Sequence, residues 1–295
     1  MEERRVIELA QLYPGPLAGR LLASWGFEVI KVEPPGGDPM RTYIPSLYGL
    51  LNAGKTVVFL DLKTEEGRRG LEELVGGARA VLTSFRREAA RRLGASYEKL
   101  KEVNPRLIYV AITSFADSDL PGHDINFAAA AGLLGDKPMI PQCVDVASGL
   151  MAAFMIAAAV AAGRSGYFEV PMESVAYLLN LLNFMQLKDR GETYLTGGYP
   201  FYNVYSCIGG RVALGAVEEK FWLRFCELIG REDLREHALS PEAVAEVGRT
   251  TEGLRCSDLL ERARQLDVPL SPVLDLRDAA ARLASKLRPL LDTPS

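Results

Sequence analysis

The chain has 295 residues, of which 48% are hydrophobic, and it carries 34 basic against 38 acidic side chains. This apolar content excludes a disordered chain and suffices for two modest domains or one large one. A net charge of −4 with both signs interspersed argues against a nucleic-acid binder, which would show a basic face. The two histidines, His123 and His237, are too few for a histidine-rich metal site, so we expect no metal.

The cysteines show no CxxC pairing and no short spacing, so they are predicted to be free thiols of a reducing compartment. They are Cys143, Cys207, Cys226 and Cys256. The first residues lack the apolar core of a signal peptide. Residues 146–162 are uncharged, but they are alanine-rich and short for a membrane span, which favours a buried core helix. We therefore expect a cytoplasmic protein with no membrane partner and no nucleic-acid partner.

The first half of the chain alternates short β-branched runs with helical patterns. The predicted strands are residues 5–9, 27–32, 56–61, 80–84 and 107–113, and the helices between them are 17–25, 64–75 and 97–103. Repeated β–α–β spacing predicts an α/β fold with a parallel sheet, Rossmann-like in outline. Neither GxGxxG after the first strand nor GxxxxGK[ST] occurs, so the usual dinucleotide and P-loop sites are not supported.

Sheets of this type bind ligands at the carboxyl ends of their strands. The carboxyl ends of the predicted strands carry Tyr13, Lys31 and Arg86, and the two basic residues favour an anionic, phosphorylated ligand. Solvated basic side chains at loop ends are the alternative explanation.

The second half begins with predicted helices at residues 126–134, 144–162 and 173–187. A hairpin is predicted from residues 202–207 and 211–216, and helices follow at 219–229, 241–247 and 251–265. These patterns divide the chain into a large domain (1–187), a linker (188–199) and a small α+β domain (200–266). Residues 267–295 are predicted to return to the large domain as a strand and a helix.

Three side chains are candidates for chemistry. His123 lies in a loop that leads into a helix, where an imidazole is either structural or a base beside unpaired N–H groups. Asp145 heads an almost wholly apolar helix, and it is either an N-cap or a carboxylate beside a dry pocket. Glu218 ends a strand and starts a helix, where an acid also favours the helix dipole.

Several motifs resemble those of the family III coenzyme A transferases. They are Val6-Ile7-Glu8-Leu9, Pro14-Gly15-Pro16, Val29-Ile30-Lys31-Val32-Glu33, Asn52-Ala53-Gly54-Lys55, Asp61-Leu62-Lys63 and Asn104-Pro105-Arg106-Leu107-Ile108-Tyr109. Gly122-His123-Asp124-Ile125-Asn126 is similar to the motif of the racemase branch, whereas the transferases usually carry tyrosine where His123 stands. Gly198-Tyr199-Pro200-Phe201-Tyr202 and Gly215-Ala216-Val217-Glu218 also resemble the racemase pattern.

The resemblance implies a racemase that inverts the α-carbon of a 2-methylacyl-CoA thioester through an enolate. His123, oriented by Glu218, and Asp145 would be the two bases, and the backbone N–H of Asp124 would stabilise the oxyanion. A CoA transferase that forms an acyl anhydride on Asp145 is the alternative. A third possibility is an acyl-CoA binding protein without turnover.

The same resemblance implies that coenzyme A is part of the substrate and that no prosthetic group is present. Its phosphates and adenine would contact Lys31, Lys55, Lys63 and Arg86. Family members form interlocked homodimers, so Glu218 would act in the partner's site. The chain departs from the family after Arg86, where Arg87-Glu88 replaces the usual Pro-Gly.

Overall fold

The computed structural model describes residues 4–118, 120–135 and 141–291. They form two compact units. Unit 1 comprises the described residues up to Asn180 and from Ser285 onward, and unit 2 comprises Leu181–Ala284.

The strands of unit 1 are β1 (Arg5–Leu9), β2 (Glu28–Glu33), β3 (Thr56–Phe59), β4 (Ala80–Thr83), β5 (Ile108–Thr113) and β6 (Gly166–Pro171). Its helices are α1 (Pro14–Ser24), α2 (Met40–Tyr43), α3 (Pro45–Asn52), α4 (Glu65–Gly76), α5 (Arg87–Arg92), α6 (Tyr97–Val103), α7 (Asp124–Ala130), α8 (Cys143–Ala161) and α9 (Met172–Leu179). The helices that follow Asn180 are α10 (Leu181–Arg190), α11 (Glu219–Ile229), α12 (Glu242–Glu252), α13 (Cys256–Gln265), α14 (Leu276–Ala280) and α15 (Leu283–Leu291). The strands of unit 2 are β7 (Tyr202–Cys207), β8 (Gly210–Gly215) and β9 (Leu270–Pro272).

The six strands of unit 1 form one parallel sheet in the order β3-β2-β1-β4-β5-β6. This is the Rossmann strand order, and the direction of winding reverses between β1 and β4. In such sheets the crevice outside the carboxyl ends of these two strands is the usual ligand site. The α/β architecture predicted from the sequence is confirmed, and β6 adds an edge strand that was not predicted.

Side chains of the sheet alternate between two apolar layers. Val6 and Val110 pack on the face that contacts Phe127 of α7 and Ile156 of α8. Ile7 and its neighbours pack on the opposite face, against α4 and α6. This alternation follows from the two-residue period of a strand, and it explains why every residue of β4 and β5 is buried.

Helix α8 is the one described helix that is long and apolar enough to cross a bilayer by length and composition. In unit 1 it packs against α1 and β5. Gly149 makes the approach to α1 possible, because a Cβ there would lie 2.6 Å from the Pro14 carbonyl oxygen. The glycine therefore sets how close the start of α1 lies to α8.

Unit 2 is a three-stranded antiparallel sheet, in the order β7-β8-β9, covered by helices. The predicted hairpin is confirmed, and its two-residue turn includes Gly209 at a φ of +97°. Trp222 and Phe225 of α11 fill the core beneath the sheet. Because β9 pairs with β8, the strand at the start of the 267–295 segment belongs to unit 2, and the chain is grouped with unit 1 only from Ser285.

One cysteine pair differs from the expectation of free thiols. Cys207 and Cys256 form a disulfide, whereas Cys143 and Cys226 are free. A parallel bridge between Ile208 and Arg255 brings the end of β7 to the start of α13. The pair is 49 residues apart in sequence, so spacing alone gave no sign of the contact.

Candidate active site

A cavity of about 190 Å³ lies at the carboxyl ends of β4 and β5, and we call it the His–Asp pocket. Its lining includes Tyr13, Arg86, Thr113, His123 and Asp145. The structure thus brings the predicted histidine and aspartate into one cavity. The cavity opens next to the point where the sheet reverses its winding, as expected for a ligand site of this fold.

His123 occupies the N-cap position of α7. Its backbone N–H donates to the side-chain oxygen of Asn126 at 3.0 Å, which fixes the entry into the helix. His123 is one of the residues that line the cavity.

Asp124 connects the start of α7, next to His123, with the start of α8, where Asp145 lies. Its carboxylate accepts hydrogen bonds from the backbone N–H groups of Val144 at 2.8 Å and Asp145 at 3.0 Å. It therefore caps the N-terminus of α8, although it is itself the first residue of α7. Because it stands in that first position, its own backbone N–H has no acceptor within the helix, as the predicted oxyanion donor requires.

Asp145 is the third residue of α8, and Gln142 takes the N-cap position. Burial raises the pKa of Asp145 to about 6, and the negative charge of Asp124 adds to this rise, while His123 opposes it. A carboxyl group with this pKa exchanges its proton close to neutral pH, which is the property required of a general acid or base.

Tyr13 is a pocket residue that the sequence placed at a strand end without assigning it a role. Burial and the charge of Asp145 both raise its pKa, so the phenol stays protonated and can donate a hydrogen bond. The residue immediately precedes α1, and its position depends on the close contact between Pro14 and Gly149. A polar side chain at the carboxyl end of a strand was the signal that could have identified it.

A second cavity of about 190 Å³, here the strand-end cavity, adjoins the His–Asp pocket. Gln11 and Phe85 line both cavities, whereas Leu60 and Lys63 line only this one. The side chains of Lys63 and Arg86 are exposed, and within the described part of the chain neither forms an ion pair. Both cations are thus available to an anionic ligand.

Lys31 and Lys55 lie elsewhere, in a buried ion cluster. The Lys31 ammonium is 3.0 Å from Glu8 and 3.1 Å from Asp38, and the Lys55 ammonium is 2.7 Å from Glu8. All four side chains have 0% exposure. Each ammonium also donates to a backbone carbonyl, that of Ala10 or Pro16. Both ammonium groups are thus held by protein acceptors, which indicates a structural role, and their predicted phosphate contacts stay a prediction.

Glu218 is the N-cap residue of α11 in unit 2, with a largely exposed side chain 4.0 Å from the Lys220 ammonium. His123 and Asp145 belong to unit 1. The predicted pairing of Glu218 with His123 stays a prediction.

Residues 4–118, 120–135 and 141–291 contain no group of three or more His, Cys, Asp or Glu side chains placed to hold a metal ion.

A family model described as CoA-transferase family III matches residues 1–290. The chain belongs to this family. Relatives named for two different reactions match it at similar levels. A cinnamoyl-CoA:phenyllactate CoA-transferase of Clostridium sporogenes is 34% identical over 266 residues, which cover 78% of this chain and 65% of the relative. A human alpha-methylacyl-CoA racemase is 35% identical over 243 residues, which cover 74% of this chain and 61% of the racemase.

Among solved structures, Rv3272 of Mycobacterium tuberculosis is similar to this chain, with a TM-score of 0.82 and 28% identity. That alignment covers 94% of this chain and 83% of the other. The two relatives above are matched over less than two thirds of their own length. Membership of family III and the family's fold are therefore established for this chain, while its substrate and its reaction are separate matters.

Proposed function

We propose that this family III protein is an isomerase that inverts the α-carbon of a 2-methylacyl-CoA thioester, like an α-methylacyl-CoA racemase. The observation that carries the proposal is a single pocket that holds an imidazole and a carboxylate with a pKa near 6. The human racemase, at 35% identity, is consistent with it.

The chemistry requires two proton-transfer groups and one site for negative charge. A hydrogen α to a thioester carbonyl is acidic because the resulting carbanion delocalises onto the carbonyl oxygen as an enolate. His123 and Asp145 serve opposite faces of the α-carbon: one removes the proton while the other, already protonated, delivers one. The backbone N–H of Asp124 and the Tyr13 hydroxyl are donors for the enolate oxygen.

Coenzyme A enters as part of the substrate, and no prosthetic group is needed for this reaction. Lys63 and Arg86 are the cations that we propose for its phosphates, and the apolar strand-end cavity is suited to its adenine. The proposal also includes a cytoplasmic homodimer in which Glu218 of the partner subunit orients His123.

CoA transfer between carboxylic acids is the second candidate, supported by the transferase from Clostridium sporogenes. In this reaction the Asp145 carboxylate attacks the thioester carbonyl and expels the CoA thiolate, leaving a mixed anhydride. The imidazole of His123 is not required. Acyl-CoA binding without turnover remains a third candidate, since fold alone does not fix function.

Deuterium exchange tests the racemase proposal. A 2-methylacyl-CoA incubated with the protein in D₂O is expected to exchange its α-hydrogen, as followed by mass spectrometry. His123→Ala and Asp145→Asn are each expected to slow the exchange by about 10²–10⁴-fold, the usual contribution of a general acid or base.

The same variants separate the alternatives. Absence of exchange with every branched acyl-CoA, in a sample shown to be folded, rejects the racemase. Full CoA-transfer activity in His123→Ala, with an Asp145 adduct trapped by hydroxylamine, selects the transferase. Binding of CoA by calorimetry with neither activity selects the binding protein.

A further inference from the structure

A third cavity adjoins the His–Asp pocket on the side of α5 and α6. It has a volume of about 290 Å³, and we call it the tyrosine cavity because Tyr97, Tyr109 and Tyr167 line it. Phe85 and Thr113 line both this cavity and the His–Asp pocket. The two cavities are therefore neighbours that share these side chains.

The three tyrosine rings form one aromatic wall. Tyr109 and Tyr167 stack with their centres 5.7 Å apart, and Tyr97 lies 5.9 Å from each of them in a tilted arrangement. Such a wall offers both ring faces and ring edges to a further aromatic group. The volume exceeds the roughly 150 Å³ of an engineered cavity that binds benzene.

Thr113 provides a second, independent indication of a ligand. The residue is 8% exposed, and its hydroxyl oxygen is buried without a hydrogen-bond partner in the described structure. A buried hydroxyl without a partner is costly to the folded state, so native proteins rarely retain one. Because Thr113 lies where the two cavities meet, a ligand that crosses between them would supply the missing partner.

The charges around the cavity favour a neutral ligand over an anionic one. Arg87 is bound by the carboxylate of Glu169 and also donates to the Ala116 carbonyl. Arg91 lies on the exposed side, 3.8 Å from the carboxylate of Glu88. Carboxylates thus neutralise the charges of both guanidinium groups. Aromatic contact is therefore the main interaction that the wall can offer a ligand.

We propose that the tyrosine cavity is the acyl subsite of the His–Asp pocket and that it takes a neutral aryl group at the end of the acyl chain. The assignment rests on the proposed function in one respect, which is that a thioester occupies the neighbouring pocket. Phe85 forms the boundary that the acyl chain passes. The Thr113 hydroxyl donates to the acyl group where it runs from one cavity into the other.

Calorimetry with three CoA thioesters of nine-carbon acyl groups tests this subsite without any turnover. 3-Phenylpropanoyl-CoA is expected to bind about 2- to 12-fold more tightly than nonanoyl-CoA, the range that one aromatic pair contributes beyond its area. Nonanedioyl-CoA, which ends in a carboxylate, is expected to bind most weakly. Thr113→Val is expected to weaken 3-phenylpropanoyl-CoA and nonanoyl-CoA alike by about 2- to 12-fold.

Tyr167→Leu and Tyr97→Leu are expected to abolish the preference for the phenyl group while leaving the affinity for CoA itself unchanged. Tyr43→Leu is the matched control, since Tyr43 is an exposed tyrosine of α2 outside the cavity, and it should keep the preference. A thermal melt of each variant confirms folding, and two separate tyrosines keep the test valid if one variant fails to fold.

A phenyl preference that persists in both tyrosine variants would overturn the assignment, as would tightest binding of nonanedioyl-CoA. Free 3-phenylpropanoate that binds as tightly as its thioester would show that the free acid is the ligand, against the proposal. A preference for the phenyl group that depends on the tyrosines, without α-hydrogen exchange, would reject the racemase and leave the subsite standing. Failure of the proposed function and failure of the subsite are therefore distinguishable.

Discussion

Asp124 acts on the proposed reaction centre in two ways. Its carboxylate holds the first turn of α8 through the N–H groups of Val144 and Asp145. Its charge also raises the pKa of Asp145. One side chain therefore sets both the position of the carboxylate and the pH at which it exchanges a proton.

Replacing Asp124 by asparagine separates these two effects. The amide oxygen can still accept the two hydrogen bonds, but the negative charge is gone, so the pKa of Asp145 is expected to fall below its present value of about 6. The acid limb of a plot of kcat/KM against pH, measured for α-hydrogen exchange, should therefore move to lower pH.

The matched control for this experiment is Glu102→Gln, which removes an exposed carboxylate of α6 and should leave the limb in place. An acid limb that does not move in Asp124→Asn would show that the ionisation belongs to a group other than Asp145.

Single residues show what the sequence could and could not predict at the site. His123 and Asp145 were predicted because each stands near the start of a helix at a position that resembles a family motif, and the structure places both in one cavity. Lys31 and Lys55 were predicted to bind phosphates from their charge alone, because a sequence displays charges without their partners, and only the fold shows that Glu8 binds both. Tyr13 was assigned no role because its neighbour Asp145 is more than a hundred residues away in the chain.

At the scale of elements, the ion cluster joins β1, β2 and the start of α1. Glu8→Gln is expected to lower the free energy of unfolding by about 3–5 kcal/mol, because it leaves two buried ammonium groups with one fewer carboxylate. Glu28→Gln, which breaks an exposed ion pair with Arg5, should cost less than about 1 kcal/mol.

Urea denaturation measures both variants, and calorimetry with CoA accompanies it. A loss of CoA affinity in folded Glu8→Gln without a loss of stability would contradict the structural role of the cluster and restore the lysines as ligands.

Local patterns predicted most elements because hydrophobic periodicity is a local property. Residues 173–187 were predicted as one helix, but the structure has α9 and α10 separated at Asn180. The side-chain amide of Asn180 donates to the Ala131 carbonyl, a tertiary contact that ends the first helix. The disulfide and the pairing of β9 with β8 depend on similar long-range contacts, which periodicity does not register.

At the scale of the molecule, unit 1 leaves large apolar side chains exposed on two neighbouring helices. They are Leu150 and Phe154 of α8 and Tyr177, Leu178 and Leu179 of α9. An apolar patch of this kind is typical of a protein–protein interface. It is consistent with the proposed homodimer.

Phe154→Glu is therefore expected to convert a dimer into a monomer in light scattering at micromolar concentration, with an unchanged circular dichroism spectrum. Trp25→Glu is the control, because Trp25 has the same 66% exposure as Phe154 and lies outside the patch. A wild-type protein that is already monomeric would reject the proposed assembly.

Gly149 contacts the Pro14 carbonyl closely because it carries a hydrogen atom where other residues carry a Cβ. The width of the proposed reaction centre depends on this close contact. A methyl group at position 149 would meet that oxygen at 2.6 Å, and a backbone atom cannot rotate away as a side chain can. The start of α1, and Tyr13 with it, would have to move away from Asp145. A substitution at position 149 would therefore change the spacing within the His–Asp pocket without altering any side chain that lines it.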